Sequence, residues 1–195
     1  MQIKALAVYC GSSPGLLPEY KEAAMAFGAL LAREGIALVY GGGNVGLMGA
    51  AADGALQAGG KVVGVIPHAL VAKELAHRGV TEFYPVDTMH QRKQKMADLA
   101  DGFVALPGGI GTLEEIFEML TWNQLHIHGK PCAFLNVAGY YEPLVRFLEH
   151  MVQQRFLKQA PFDALIVDAD AASLLARIRA YAPVKTDKWI DRKTS

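Results

Sequence analysis

Only two cysteines, Cys10 and Cys132, stand among the 195 residues of this chain, and no CxxC or Cys/His cluster accompanies them. The spacing of a metal centre is therefore absent, and no metal is expected. Each cysteine follows a strand-like apolar segment and reads as a small buried residue. Charge of neither sign dominates: 19 Lys and Arg balance 19 Asp and Glu. A chain held to nucleic acid or to an anionic membrane mainly by charge carries an excess of cations, so neither partner is expected. Long apolar runs are missing too. None reaches the ~18 residues that a membrane span needs. The opening MQIKALAVYC is too short and wrongly flanked for a secretory signal. The cytoplasm is the expected compartment. Repeats and low-complexity stretches are also lacking.

What is present is a composition 52% hydrophobic and 19% charged, that of a well-packed globular domain. Strand-like apolar runs alternate with amphipathic stretches. Strands are expected over 3–9, 36–40, 61–66, 82–86, 102–106, 131–137 and 164–167. Helices are expected over 18–34, from the glycine run to about 59, over 87–100, from Thr112 to 125, near 140–157 and over 170–181. Residues 68–80 read as either a short helix or a lid. Continuous apolar strands joined by helices mean a parallel sheet covered on both faces. The fold class is thus α/β, a Rossmann-like doubly wound sheet in one domain over 1–181. Residues 182–195 form a tail, polar apart from Trp189 and Ile190, that frays or docks on a partner.

Such sheets bind ligands beyond the carboxyl ends of their strands, where strand order reverses. The loops after the first, second and fifth strands are each rich in glycine. The second carries Gly41, Gly42, Gly43, Asn44, Val45, Gly46, Leu47, Met48 and Gly49, a literal GxGxxG between strand and helix. A dinucleotide site also needs an acidic residue about twenty positions on, at the next strand end. That strand ends Val65, Ile66, Pro67, His68, so NAD is disfavoured. Backbone amides at a helix N-terminus can still hold one phosphate, which makes Gly42 and Gly43 candidate contacts. After the fifth strand stand Pro107, Gly108, Gly109, Ile110, Gly111, Thr112, Leu113, Glu114 and Glu115. The Gly-Lys-Ser/Thr of a P-loop is absent, which disfavours NTP hydrolysis. Two such loops side by side would form one phosphate pocket, to which Ser12 and Ser13 add hydroxyl donors or simple turn chemistry.

On the helix opened by Thr112, Leu113, Ile116, Phe117, Leu120 and Gln124 share one face, mostly core. Glu114, Glu118 and Thr121 fall on the polar side. Glu115 falls near Met119 and Trp122, a second apolar side that suits a subunit contact. Glu115 reads either as a carboxylate readied for proton transfer by partial burial or as a first-turn partner of the helix dipole. The preceding helix directs Met89, Arg92 or Lys93, Met96 and Ala100 inward. An Arg on that stripe calls for an anionic partner. Its neighbour Lys93 reads equally as a snorkelling side chain, and His90 as a surface residue.

Residues 107–115 match PGGxGTxxE, and Met89, His90, Gln91, Arg92 and Lys93 match MHxRK. With the 41–49 loop and Cys10, Gly11, Ser12, Ser13, the chain resembles the Lonely Guy family from about residue 3 to 181. That family comprises cytokinin riboside 5′-monophosphate phosphoribohydrolases, formerly mislabelled lysine decarboxylases. The resemblance implies hydrolysis of the N-glycosidic bond of an N6-substituted adenosine 5′-monophosphate, with AMP as a further substrate. It implies no cofactor, and it implies a homodimer. Its catalytic pair falls on Arg92 and Glu115. Its nucleotide contacts fall on Glu74, Arg92, Lys93, Gly109, Ile110, Gly111, Thr112, Leu113, Glu114, Glu115 and Thr121. Thr121, on the polar side of its helix, would reach a nucleotide through a dimer-related site or a ligand edge. Two readings compete: a non-catalytic carrier of a nucleotide or phosphorylated cofactor, and a PLP-dependent decarboxylase. The second lacks a convincing Schiff-base lysine with a pyridinium partner.

Overall fold

A computed structural model describes residues 2–71 and 76–183. Seven strands form one parallel sheet: β1 (Ala5–Tyr9), β2 (Ala37–Tyr40), β3 (Val62–Pro67), β4 (Glu82–Val86), β5 (Gly102–Ala105), β6 (Cys132–Leu135) and β7 (Ile166–Asp168). Their order is β4-β3-β2-β1-β5-β6-β7. The chain winds outward from β1 to β4, then returns to pair β5 with the free side of β1, Val8 opposite Val104. Strand order reverses there, so the loops leaving β1 and β5 diverge and open a crevice. This is the Rossmann-like, single-domain α/β architecture expected from the sequence.

Eight helices connect the strands among the described residues: α1 (Pro18–Arg33), α2 (Gly46–Gln57), α3 (His68–Val71), α4 (Met89–Leu99), α5 (Ile110–Gln124), α6 (Glu142–Gln153), α7 (Gln159–Asp163) and α8 (Ala171–Ala180). Alternation along β1 shows how both faces are used. Leu6 and Val8 pack with Phe27, Leu31 and Ala52 of α1 and α2. Ala5, Ala7 and Tyr9 pack with Met96 and Met119 of α4 and α5. Period-two side chains of a strand point to opposite faces, so the near-continuous apolar strands reflect burial on both.

Local signals set most boundaries. Pro18 opens α1, and Gly35, at φ +67°, follows its end. Thr88 caps α4 by accepting from Gln91 N–H at 3.1 Å, while Gln91 Oε1 accepts from Asp87 N–H at 2.8 Å. Asp170 caps α8 by accepting from Ser173 N–H at 2.7 Å.

Three boundaries differ from expectation. Helix α5 starts three residues early, its N-cap at Gly109 rather than Thr112, so Thr112 is a third helical residue and Glu115 lies in the second turn. Short helix α7 stands where a connection was expected, before β7. Within the expected helix or lid of residues 68–80, His68–Val71 form α3, and Ala76 bridges Gly43 of the second glycine loop. The expected contact Glu74 and the tail with Trp189 and Ile190 lie outside the described residues. No helix among the described residues is long and apolar enough to cross a membrane.

Candidate active site

Three loops meet at the β1–β5 crevice. Gly11 ties them together: its N–H donates to Pro107 O at 3.0 Å and its carbonyl accepts from Leu47 N–H at 3.0 Å. Gly46, at φ +60°, packs so closely on Ser12 that a side chain there would overlap the backbone. The loop after β5 is held from outside by two tyrosines. Tyr140 donates to Gly108 O at 2.5 Å, and Tyr141 to Leu106 O at 2.6 Å.

Helices α2 and α5 both begin here, each without a side-chain cap and without an acidic residue in its first turn. At α5 the first amides keep their partial positive charge for an anion, while at α2 the Leu47 amide is already taken by the Gly11 carbonyl. Gly109, Ile110 and Gly111 are exposed, while Thr112 is buried with its hydroxyl against Gly108. Gly42 and Gly43 are buried, and Ser12 and Ser13 are exposed. The Ser13 hydroxyl accepts from Gly15 N–H at 3.4 Å, as in an ordinary turn.

Behind the amides lies a charge cluster between α4 and α5. Arg92 Nη1 donates to Glu115 Oε1 at 2.9 Å, with both side chains only 11% exposed. Arg92 Nε also donates to the Val65 carbonyl, at 3.2 Å, at the end of β3. The guanidinium presses so close to Gly41 that any side chain there would displace it. One plane is thus held by a carboxylate, a carbonyl and a bare backbone, a use of the guanidinium fork that Lys could not copy. Lys93 turns the other way, bonding Glu114 and, at 3.0 Å, Glu118.

Burial pushes the Glu115 carboxyl above its ordinary range, opposed by the Arg92 charge and reinforced by Glu114. Burial pulls Lys93 down, but its bonds to Glu114 and Glu118 outweigh that and hold its pKa up. Lys93 is a fixed cation. Beneath the cluster, burial and then the Glu115 charge hold the Tyr9 phenol neutral. Burial also pushes both thiols up, so Cys10 and Cys132 are inert core residues.

The structure brings Arg92, Lys93, Glu114 and Glu115 together beside the α5 N-terminus. It does not bring Thr121 there. That residue is exposed farther along α5, its hydroxyl donating to Phe117 O at 2.7 Å. Met89, expected inward on α4, is 45% exposed. The Arg92-Lys93-Met96-Ala97 face is the buried one. The second apolar side of α5 is corrected as well. Thr112, Glu115, Ile116 and Met119 are its buried face, Ile116 and Met119 in the core against the sheet and Glu115 bonded to Arg92, so this side turns inward. Leu113, Phe117 and Leu120 are only partly buried. Phe117 and Leu120 line an apolar cavity with Leu148, Met151 and Leu165, remote from the charge cluster. Sequence reading missed the Val65 carbonyl, Glu118 and the two tyrosines. Glu118 had a signal in its i+4 spacing from Glu114. The carbonyl and the tyrosines had none, since those contacts join distant segments.

The chain is similar to several known proteins. The family model described as "Possible lysine decarboxylase" matches residues 48–178. A cytokinin riboside 5′-monophosphate phosphoribohydrolase from Rhodococcoides fascians is 48% identical over 91% of this chain and 90% of its own. One from Arabidopsis thaliana is 42% identical over 93% and 85%. Among solved structures, the molybdenum cofactor binding protein of Rippkaea orientalis superposes with a TM-score of 0.70 at 23% identity, covering 92% of this chain and 98% of that one. At that identity the likeness is one of fold. The two phosphoribohydrolases carry the closer kinship, and the chain belongs to the Lonely Guy family of cytokinin riboside 5′-monophosphate phosphoribohydrolases.

Proposed function

We propose that the chain is a phosphoribohydrolase that converts an N6-substituted adenosine 5′-monophosphate and water to free base and ribose 5-phosphate, with AMP as a further substrate. One observation carries this reading: a buried Arg92–Glu115 pair opens beside two uncapped helix N-termini. A carrier needs the anion site alone.

Breaking the bond between ribose C1′ and the base nitrogen leaves the electron pair on the base and positive charge on the sugar. The Glu115 carboxylate stabilises that charge and takes a proton from the water that attacks C1′. Arg92 orients the carboxylate and favours its ionised form. The departing nitrogen ends protonated. The amides of Gly109, Ile110 and Gly111 with the Thr112 hydroxyl, together with Gly42, Gly43, Ser12 and Ser13, hold the phosphate, and Leu113 closes the first helical turn behind them by donating its N–H to Gly109 O at 3.2 Å. Binding energy remote from the reacting bond then positions the ribose. Lys93 and Glu114 form the wall of the site. The residues carried from the family to Glu74 and Thr121 complete it, Thr121 from a partner subunit.

Homodimerisation and a cytosolic setting belong to the same proposal. The apolar side chains of Leu125 and Ile127 stand exposed just past the end of α5. Adjoining apolar exposure of this kind suits a contact surface. Two free buried thiols suit a reducing compartment. Sedimentation equilibrium is expected to return twice the 21.0 kDa chain mass, and a monomer at micromolar concentration would remove the dimer.

The test is direct. Purified protein is incubated with AMP and with N6-isopentenyl-AMP, and free base and ribose 5-phosphate are followed by chromatography. Equal release of both products establishes the reaction. Tight binding without release would make the chain a carrier. The acid limb of kcat/KM provides a further expectation. Glu115 must be ionised to act, and its pKa is raised, so activity should climb with pH above the usual carboxylate range of ~4.3. A limb at or below that range would mean another group titrates.

A further inference from the structure

Residues 76–80, which lead into β4, are stitched to the second glycine loop. His77 N–H donates to the Gly42 carbonyl at 2.8 Å, and Ala76 forms an antiparallel bridge with Gly43. The His77 ring is fixed as well. Its Nδ1 accepts from Gly79 N–H at 3.1 Å, which leaves the proton on Nε2. Nε2 stands 3.0 Å from Asp53 Oδ1 on α2. The imidazole is 11% exposed and the carboxylate 47%, so only the ring depends on this bond to satisfy its donor. Helix α2 itself follows from the glycine loop. Loop, helix, Asp53, His77 and loop therefore close a circuit, with no side chain contributed by the glycines.

The circuit bears on the candidate pair. Gly42 takes φ +73°, and the adjoining Gly41 is the surface against which the Arg92 guanidinium rests. Glycine loops have more accessible conformations than other backbone, so an outside fastening decides where Gly41 sits. We propose that His77 is a positioning residue: clamped by Asp53, it fixes the 41–43 loop and thereby sets Arg92 against Glu115. The assignment rests on the phosphoribohydrolase reading.

The variants are His77→Ala, Asp53→Ala and Asp53→Asn. The last keeps an oxygen acceptor for Nε2–H. Turnover of AMP or N6-isopentenyl-AMP is measured beside a 13C NMR titration of the Glu115 carboxyl, a group faced by Arg92 and Lys93 of α4, by Glu114, by Tyr9 of β1 and by Cys10 just past that strand. Both alanine variants should lose between about 10- and 100-fold in kcat, the scale of an ångström-sized misplacement. Their Glu115 midpoint should move up as Arg92 withdraws, and Asp53→Asn should restore both. Mere loss of stability lowers Tm but leaves the midpoint of the folded protein where it was. An unmoved midpoint in the alanine variants, or an Asp53→Asn protein as impaired as Asp53→Ala, overturns the proposal. If the unmodified protein releases no base, the hydrolase reading fails by itself, and the titration still decides whether His77 positions the pair.

Discussion

Replacing Glu115 with glutamine is expected to lower turnover at least ~100-fold, the scale of losing a general base, while nucleotide binding persists. The substitution is nearly isosteric. The amide oxygen can still accept from Arg92 Nη1, now 2.9 Å from Glu115 Oε1, and the packing around Ile116 and Met119 is undisturbed. What disappears is the negative charge opposite the developing positive charge on the ribose, and with it the acceptor for the water's proton. In a site sheltered from solvent, that charge is worth more than at the surface. Chromatographic release of base in a single turnover, paired with calorimetric AMP binding, separates chemistry from affinity. Near-normal turnover in this variant would take the catalytic role away from Glu115.

The second large effect is that of Arg92→Ala, which combines two losses. Removing one partner of a buried ion pair leaves the other uncompensated, a cost of about 3–5 kcal/mol. The lower end applies here, because both side chains keep 11% exposure. Turnover should fall by about 100-fold or more, the scale of a deleted charge-orienting donor. Without Arg92 the Glu115 carboxyl titrates higher still, since that charge is the chief influence holding it down. The two losses separate in the double variant Arg92→Ala/Glu115→Gln. Removing the stranded carboxylate should recover part of the stability measured by urea unfolding, with no recovery of activity. If the double variant is less stable than Arg92→Ala, the pair contributes packing rather than compensated charge. Arg92→Lys should fall between, because one ammonium cannot reach both Val65 O and Glu115 in the plane of the original fork.

Several decisive contacts join segments far apart in sequence. Arg92 was recognisable as an interruption of the apolar stripe of its helix, and Glu115 as an acid among Met119 and Trp122. Their bond joins α4 to α5, the helices before and after β5, and only packing on the sheet fixes that distance. The face of α5 misled because periodicity counts apolar residues without knowing which side meets the sheet. Leu113, Phe117 and Leu120 are only partly buried, whereas the polar Thr112 and Glu115 are buried with Ile116 and Met119. Shielding from water, rather than side-chain type, settles that choice. Thr112 was expected as a cap because its hydroxyl suits the position. Gly109 takes it instead, since the bare backbone leaves the first amides uncovered.

The sequence by itself determined the alternation of strand and helix, the parallel sheet, the three glycine-rich loops and the identity of the charged residues beside them. These follow from local periodicity, from glycine, proline and capping residues, and from the absence of alternatives such as a metal spacing or a P-loop lysine. Only the tertiary structure decided the strand order that opens the crevice between β1 and β5, the Arg92–Val65 and Arg92–Glu115 bonds, the diversion of Lys93 to Glu114 and Glu118, and the His77–Asp53 clamp. Each depends on where the sheet brings chain segments that are distant in sequence. A pattern of residue types carries the chemistry available to a site, and packing selects which of those groups meet.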